Sequence, residues 1–400
     1  MTELVNQGAY GCLYYPGIKC NGSPMDDRRY ATKLVVRDAV AENEVAVGNI
    51  VKGIVNYAVN FVPVINTCSV NLERVRRNAP HALDKCDIVK ATATVEATAT
   101  VEAIMKATAT DVKATDKAKA NKSKKVPKFM LMKMPYIDGL YFYDYVNAMG
   151  NNKKKIISCI FDTYAYLIES IERLGEHAVV HYDLKIENIL MNLKTDTPII
   201  LDFGLSIPID QGTPDAAFWA TYFYKYSPEY YVWPLEAHVI NFLQNERTSL
   251  SLSSEDVASI CETFVNSNPA IRVFSEGFRD RYLKACIAHY DHWIGVPRDE
   301  VCDALLKGWP TWDNYSLSIA YLQIFGFISQ TEYTNNHLII QYIQLLLQNV
   351  HPDPARRKTV GDTKRAFTDL FFMNERVETY DSLVQNFSTD RFVQTRTITR

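Results

Sequence analysis

The sequence predicts an α+β protein with a bilobal fold: a small β-rich lobe with one main helix, then a larger and mostly helical lobe. Three observations predict it. The first 65 residues alternate short apolar runs with Gly and Pro punctuation, Lys153 to Leu174 carries an apolar stripe at helical spacing, and from Ser316 onward the pattern is mostly helical. Strands gathered early and helices gathered late give an α+β order rather than an alternating one. Four hundred residues suffice for two or three folding units, or for one large two-lobed unit.

Taken in order, the first 65 residues read as three strands and then a helix from about Asp38 to Val55. Between Lys90 and Lys125 the composition changes. Thr92-Ala93-Thr94-Val95-Glu96-Ala97 is repeated at once over 98–103, and a Lys-rich stretch follows Lys113. Too few large apolar residues occur there to bury, so a low-complexity insertion at about 83–126 is expected to be disordered. The apolar run Phe129-Met130-Leu131-Met132 suits a buried strand, and Pro135 and Gly139 break the pattern after it. The helix at 153–174 presents Ile156, Ile157, Ile160, Tyr164, Leu167, Ile168 and Ile171 to a core. Leu317 to Phe327 and His337 to Leu347 are the clearest later helices. The expected division is 1–135 for the first lobe, 136–375 for the second and 376–400 for a tail.

A composition of 47% hydrophobic, 22% charged and 12% aromatic residues excludes collagen-like, mucin-like and wholly disordered chains. Forty-three basic against 46 acidic residues leave a net charge of −3, which gives no overall basic field for a nucleic-acid coat or a membrane surface. The eight cysteines, at 12, 20, 68, 86, 159, 261, 286 and 302, show neither a C-x-x-C pair nor zinc spacing. They are expected to be reduced thiols of an intracellular protein. Met1-Thr2-Glu3-Leu4 opens no signal-peptide pattern, and no apolar run approaches the ~20 residues that span a bilayer. Secretion and membrane insertion are not expected.

The chemistry is concentrated in Val179-Val180-His181-Tyr182-Asp183-Leu184-Lys185-Ile186-Glu187-Asn188-Ile189-Leu190. Two strand-like ends enclose an Asp, a Lys and an Asn at fixed offsets. A chance match to five specified positions in a chain of this length is on the order of one in ten thousand. Fourteen residues beyond Asn188, after a turn and the apolar Ile199-Ile200-Leu201, stands Asp202-Phe203-Gly204. The pattern implies a carboxylate and an amide converging on a metal, with a second carboxylate nearby to take a proton.

These two segments resemble the H-R-D-L-K-x-x-N catalytic loop and the D-F-G motif of eukaryotic-type serine/threonine protein kinases. Asn6-Gln7-Gly8-Ala9-Tyr10-Gly11 is similar to the glycine-rich loop without its first glycine, and Leu13 stands where that loop has Val. Ala31-Thr32-Lys33 resembles the V-A-I-K strand. Glu44 is its expected ion-pair partner, preferred to Glu42 because Val47 and Val51 then follow on an apolar face. Ser227-Pro228-Glu229 resembles A-P-E, Asp313-Asn314-Tyr315-Ser316-Leu317 the helix that buttresses the loop, and Asp353-Pro354-Ala355-Arg356-Arg357 the segment whose arginine pairs with the A-P-E glutamate. The resemblance covers about residues 4 to 360. It implies ATP with Mg²⁺ (or Mn²⁺) as cofactors and Ser or Thr hydroxyls of proteins as acceptors. Asp183 is the implied base and Lys185 its catalytic partner, Asn188 and Asp202 hold metal, and Gly8, Gly11, Leu13, Lys33 and Glu44 bind nucleotide. His181 is expected to pack beneath the loop, and Glu229 to pair with Arg357.

The chain also departs from the family. Tyr182 replaces the arginine that binds an activation-segment phosphate, which implies activity independent of phosphorylation there. Thr213 and Thr221 are the candidate modification sites of that segment. About 80 residues separate Glu229 from Asp313, an expected helical insertion at 230–312. The Tyr230-Tyr231-Val232-Trp233-Pro234-Leu235-Glu236 continuation, the Glu44-x-x-x-Gly48-x-Ile50 helix and the His181-Tyr182-Asp183 loop together look like the divergent kinases of large DNA viruses, which implies action in the host cytoplasm or packaging in a virion. Two other functions stay open: a pseudokinase acting as a nucleotide-binding scaffold, and a small-molecule kinase. No specific nucleic-acid partner is expected, and the oligomeric state is left open.

Overall fold

The computed structural model describes residues 2–8, 11–92, 128–209, 212, 214–245, 250–329, 336–372 and 384. The chain divides into two compact units. The first comprises Met1–Asn49 and Pro63–Ile137, the second Ile50–Val62 and Asp138–Arg400. The first boundary falls inside a helix, so that 50–62, expected in the first lobe, group with the second unit.

In the first unit, β1 (Glu3–Gly8), β2 (Gly11–Tyr15), β3 (Tyr30–Val36), β4 (Asn66–Val70) and β5 (Phe129–Pro135) form an antiparallel sheet in the order β1-β2-β3-β5-β4. Side chains alternate across its two faces. Cys12, Tyr14, Leu34, Phe129 and Leu131 line one core, whereas Val35, Met130 and Met132 line the other with Ala41 of α1 (Ala39–Gly53). The first core is closed by a segment that lies largely within the expected insertion or just before it. Asn71 caps α2 (Leu72–Asn78) by accepting from the Glu73 and Arg74 amides, and Val75, Leu83, Cys86 and Val89 are buried against the sheet. Residues 83–92 are therefore packed structure, the last six of them helical, because they supply the apolar cover that the sheet needs. The remainder of the expected insertion, 93–126, lies outside the described residues.

Four of the eight cysteines are bridged. Cys12 pairs with Cys86 and Cys20 with Cys68, each with Cα atoms 5.9 Å apart, which is ordinary disulfide spacing. This corrects the expectation of eight reduced thiols. The bridges join positions 74 and 48 residues apart, a proximity created by the sheet and not visible in local spacing. Cys159, Cys261, Cys286 and Cys302, all in the second unit, are free.

The second unit opens with β6 (Gly139–Tyr141) and α3 (Phe142–Asn147), then the long α4 (Lys153–Glu176). Asn152 caps α4 by accepting from the Lys155 amide, and the predicted stripe from Ile156 to Ile171 is buried, joined by Leu174. After β7 (Val179–Val180), strands β8 (Ile189–Asn192) and β9 (Thr197–Ile200) form a hairpin flanked by β6, and β10 (Ile207–Pro208) pairs with β7. α5 (Ala216–Tyr222) follows. Five helices occupy 235–306: α6 (Leu235–Asn245), α7 (Ser254–Ser267), α8 (Pro269–Arg272), α9 (Glu276–Tyr290) and α10 (Arg298–Leu306). Three of the starts are locally encoded. Ser253 and Asp256 form a capping box, Asn268 and Ser275 cap α8 and α9, and Pro269 sits at the first position of α8. α11 (Trp312–Ser329), α12 (His337–Asn349) and α13 (Val360–Phe372) complete the unit, with α11 and α13 packed on α4. The expected tail at 376–400 lies outside the described residues except for residue 384.

Candidate active site

The loop at 181–188 is held from below. Asp313, at the start of α11, accepts from the His181 amide (2.7 Å, Oδ2) and from the Tyr182 amide (3.0 Å, Oδ1). Burial pushes the Asp313 carboxyl up, while His181 and the two amides act in the opposite sense. His181 is wholly buried. Its Nε2 is 3.0 Å from the Leu201 carbonyl, and its ring meets Phe203 edge-on with centroids 5.2 Å apart. The histidine thus ties the loop to the segment leading to Asp202 and takes no place on the reactive side.

Tyr182 adopts φ 64°, a left-handed conformation uncommon for a non-glycine residue, and dense packing holds it there. Its ring stacks on Trp233 (4.8 Å) and adjoins Phe223 and Trp312. The Trp233 indole donates to its carbonyl at 2.9 Å, and Asn241 donates to its hydroxyl at 3.0 Å. Where the family has a phosphate-binding arginine, this chain has an aromatic core residue.

On the reactive side, the carboxylate of Asp183 gathers donors. Lys185 Nζ lies 2.9 Å from Oδ1 and 3.1 Å from Oδ2, and Asn188 Nδ2 donates to Oδ2 (3.0 Å) and to the Asp183 carbonyl (2.8 Å). The Tyr230 hydroxyl donates to Oδ1, and Lys185 Nζ stands 3.2 Å from that hydroxyl. Tyr230 is a site residue that the sequence reading missed, since nothing in its local pattern distinguishes it from Tyr231.

The β8–β9 hairpin brings the two metal candidates to one end. Ile189 is in register with Ile200, and the Leu201 amide donates to the Asn188 carbonyl at 3.0 Å, so Asn188 and Asp202 leave the hairpin side by side. Asp202 also has positive φ, 64°, and its Oδ1 accepts from the Gly204 amide at 3.3 Å. Because Asn188 directs its amide hydrogens to Asp183, its Oδ1 is left to serve as an oxygen donor to a cation. One carboxylate and one amide oxygen fit a hard divalent cation whose other ligands are water and substrate phosphates. No group of three or more His, Cys, Asp or Glu residues placed to enclose a metal occurs among the described residues.

The first unit carries the remaining candidates. Lys33 Nζ makes an ion pair with Glu44 at 2.9 Å, with both side chains largely shielded, whereas Glu42 pairs with the exposed Arg37. Leu13 lies opposite Lys33 in the β2–β3 register, and Gly8 and Gly11 face each other at the end of the β1–β2 hairpin, whose tip residues 9 and 10 lie outside the described set. A Cβ on Gly11 would come within 2.8 Å of the Leu34 carbonyl and of Val35, so close strand approach alone demands glycine there. At Gly8 a Cβ would meet nothing within 4 Å.

One expected pair is corrected. Arg357 does not pair with Glu229, which is exposed, but with Glu236 on α6, in a fork of 2.6 and 2.9 Å with both side chains at most 1% exposed. The Arg357 Nε donates to the His351 carbonyl at 2.8 Å and its Nη1 to Thr311 at 3.1 Å. Glu236 wins because α6 begins in the apolar interior, where a carboxylate requires a partner. Of the proposed modification sites, Thr221 is exposed on α5, its hydroxyl bonded to the Ala217 carbonyl, while Thr213 lies outside the described residues.

The β-rich first unit and the mostly helical second unit give the α+β fold of a protein kinase domain, and the helical unit holds the cluster around Asp183 and the hairpin beside Asn188 and Asp202. Residues 95–233, about a third of the chain, match the protein kinase domain family. A relative from Encephalitozoon cuniculi (strain GB-M1), named "Probable serine/threonine-protein kinase KIN1 homolog", is 37% identical over 78 residues, 20% of this chain and 13% of the relative. The chain therefore spans about an eighth of that relative's length in the matched region, and the two comparisons together support a protein kinase.

Proposed function

We propose that this chain is a serine/threonine protein kinase that transfers the γ-phosphoryl group of ATP to Ser or Thr hydroxyls of proteins. The observation that carries the reading is the convergence of Lys185 and Asn188 on Asp183, with Asp202 beside Asn188 at the end of one hairpin. Asp183 orients the acceptor hydroxyl and takes its proton as the acceptor oxygen bonds to the γ-phosphorus. The bond to the β–γ bridging oxygen breaks, and ADP leaves. Lys185 offsets the charge gathering around Asp183 and the transferred group. Asn188 and Asp202 are the residues that would hold Mg²⁺ (or Mn²⁺), which when bound neutralises phosphate charge. Lys33, braced by Glu44, binds the α- and β-phosphates, and Gly8, Gly11 and Leu13 cover the nucleotide. Preference for Ser and Thr over Tyr rests on Lys185.

The test is transfer of labelled γ-phosphate from ATP and Mg²⁺ to a mixed protein substrate. Label on Ser or Thr that disappears in Asp183→Asn and in Asp202→Ala is the expected result. ATP binding without any transfer would overturn the catalytic reading in favour of a nucleotide-binding scaffold.

A further inference from the structure

The Asp183 carboxylate is saturated. A carboxylate offers about four lone-pair sites, and here Oδ1 accepts from Lys185 and Tyr230 while Oδ2 accepts from Lys185 and Asn188. A base in this state has no site for an incoming hydroxyl. One donor must therefore leave before an acceptor can be deprotonated.

Lys185 and Asn188 belong to the same loop as Asp183, and both have tasks at the phosphates. Tyr230 does not. It arrives from the segment after α5, in a turn closed by the Tyr230 amide on the Ser227 carbonyl and by the Trp233 amide on the Tyr230 carbonyl. Its ring rests edge-on against Trp233, centroids 4.9 Å apart, so the hydroxyl is aimed by packing that does not need the hydrogen bond to Asp183. It is also a neutral hydroxyl presented to Oδ1, the chemistry of the acceptor itself.

We propose that Tyr230 is an acceptor-displaced gate on Asp183: its hydroxyl holds the place of the Ser or Thr hydroxyl at Oδ1 and yields it when a protein substrate docks. The inference rests on the kinase reading above. Between acceptors the gate keeps water from that oxygen. Water activated there would attack the γ-phosphorus, give its proton to Asp183 and release ADP and inorganic phosphate, the side reaction a closed site suppresses. The gate also makes each acceptor compete with an internal hydroxyl, which weakens apparent binding of poorly fitting substrates.

The experiment compares wild type, Tyr230→Phe and Tyr230→Leu for ATP hydrolysis without acceptor and for KM and kcat with a Ser-containing acceptor, Asp183→Asn marking the background. Phe keeps the ring on Trp233 and removes the donor; Leu removes both. In both variants hydrolysis without acceptor should rise about tenfold and the acceptor KM fall about as much, the lower end of what a hydrogen bond to a charged group carries, with kcat for transfer maintained. Unchanged hydrolysis and KM, or a lower kcat at constant KM, would overturn the gate, the latter making Tyr230 a residue that positions Asp183. Wild-type transfer no greater than that of Asp183→Asn would instead remove the kinase reading, and the gate with it.

Discussion

Replacing either partner of the Glu236–Arg357 pair tests both the corrected assignment and the physics behind it. Arg357 makes four hydrogen bonds: two to Glu236, one to the His351 carbonyl and one to Thr311. Its guanidinium also lies 5.3 Å from the centre of the Tyr315 ring. Arg357→Leu strands a carboxylate that is 0% exposed and removes the donor to the His351 carbonyl, which places its cost at the upper end of the about 3–5 kcal/mol of a broken buried pair. Glu236→Ala leaves the guanidinium two oxygen partners and an aromatic face, so it belongs near the lower end. The double substitution Glu236→Leu with Arg357→Leu strands no charge and should recover most of the loss, because desolvating the pair had already cost much of its attraction. Glu229→Ala, on an exposed residue, should leave the curve unchanged. The assay is urea unfolding of the full chain followed by tryptophan fluorescence. At roughly 2 kcal/mol per molar urea, the single variants should unfold about 2 M earlier in the transition that reports the second unit. A Glu229→Ala variant as unstable as Glu236→Ala, or a double variant no better than the singles, would refute the reasoning.

Lys33→Met should lower phosphoryl transfer by at least about a hundredfold through lost charge stabilisation; Glu44→Gln, which removes the ion-pair partner, should also lower it while Glu42→Gln leaves it unchanged, and steady-state assays of the two glutamate variants separate them. Alkylation of the unfolded, unreduced chain should count four thiols, and eight after reduction, by mass spectrometry. In the folded protein near pH 8, Cys261 and Cys302 should react slowly, since burial pushes their thiols up to about 12 and about 11. Acid should weaken the second unit through His238, which burial beside Trp233 and Phe264 holds down to about 4. A depressed folded pKa leaves stability intact above about 6.5 and loses it as pH falls toward 4, a loss of about 3 kcal/mol over that window; His238→Leu should flatten stability there, measured by urea titrations at each pH.

Most of the fold could be read from the sequence because its long elements repeat their own signals. The stripe on α4 fixed that helix to within two residues of its end, and the polar starts at Ser253, Asn268 and Ser275 mark helices that packing then uses. Asp183, Lys185, Asn188 and Asp202 were legible for a related reason: a loop of eight residues and a short hairpin bring them together, so linear spacing stands in for geometry. Where distance in the chain decided the outcome, linear reading failed. The partner of Cys12 is 74 residues away, and nothing near Cys86 says that the stretch around it will roof a sheet.

The Glu236 case shows which signal was present and unused. Pro228-Glu229 has the better motif, yet its neighbours are polar and aromatic residues suited to a surface. Glu236 stands among Trp233, Leu235, Ala237, Val239 and Ile240, all buried, and a carboxylate in such company is either paired or ruinous. Asking where a charge could not be left alone would have ranked Glu236 first. In this unit the loop at 181–188 is positioned by buried groups that must be satisfied, Asp313 accepting from two of its amides and Tyr182 packed on Trp233. On the kinase reading, its chemistry then turns on Tyr230, the donor at Asp183 that comes from outside the loop among the described residues.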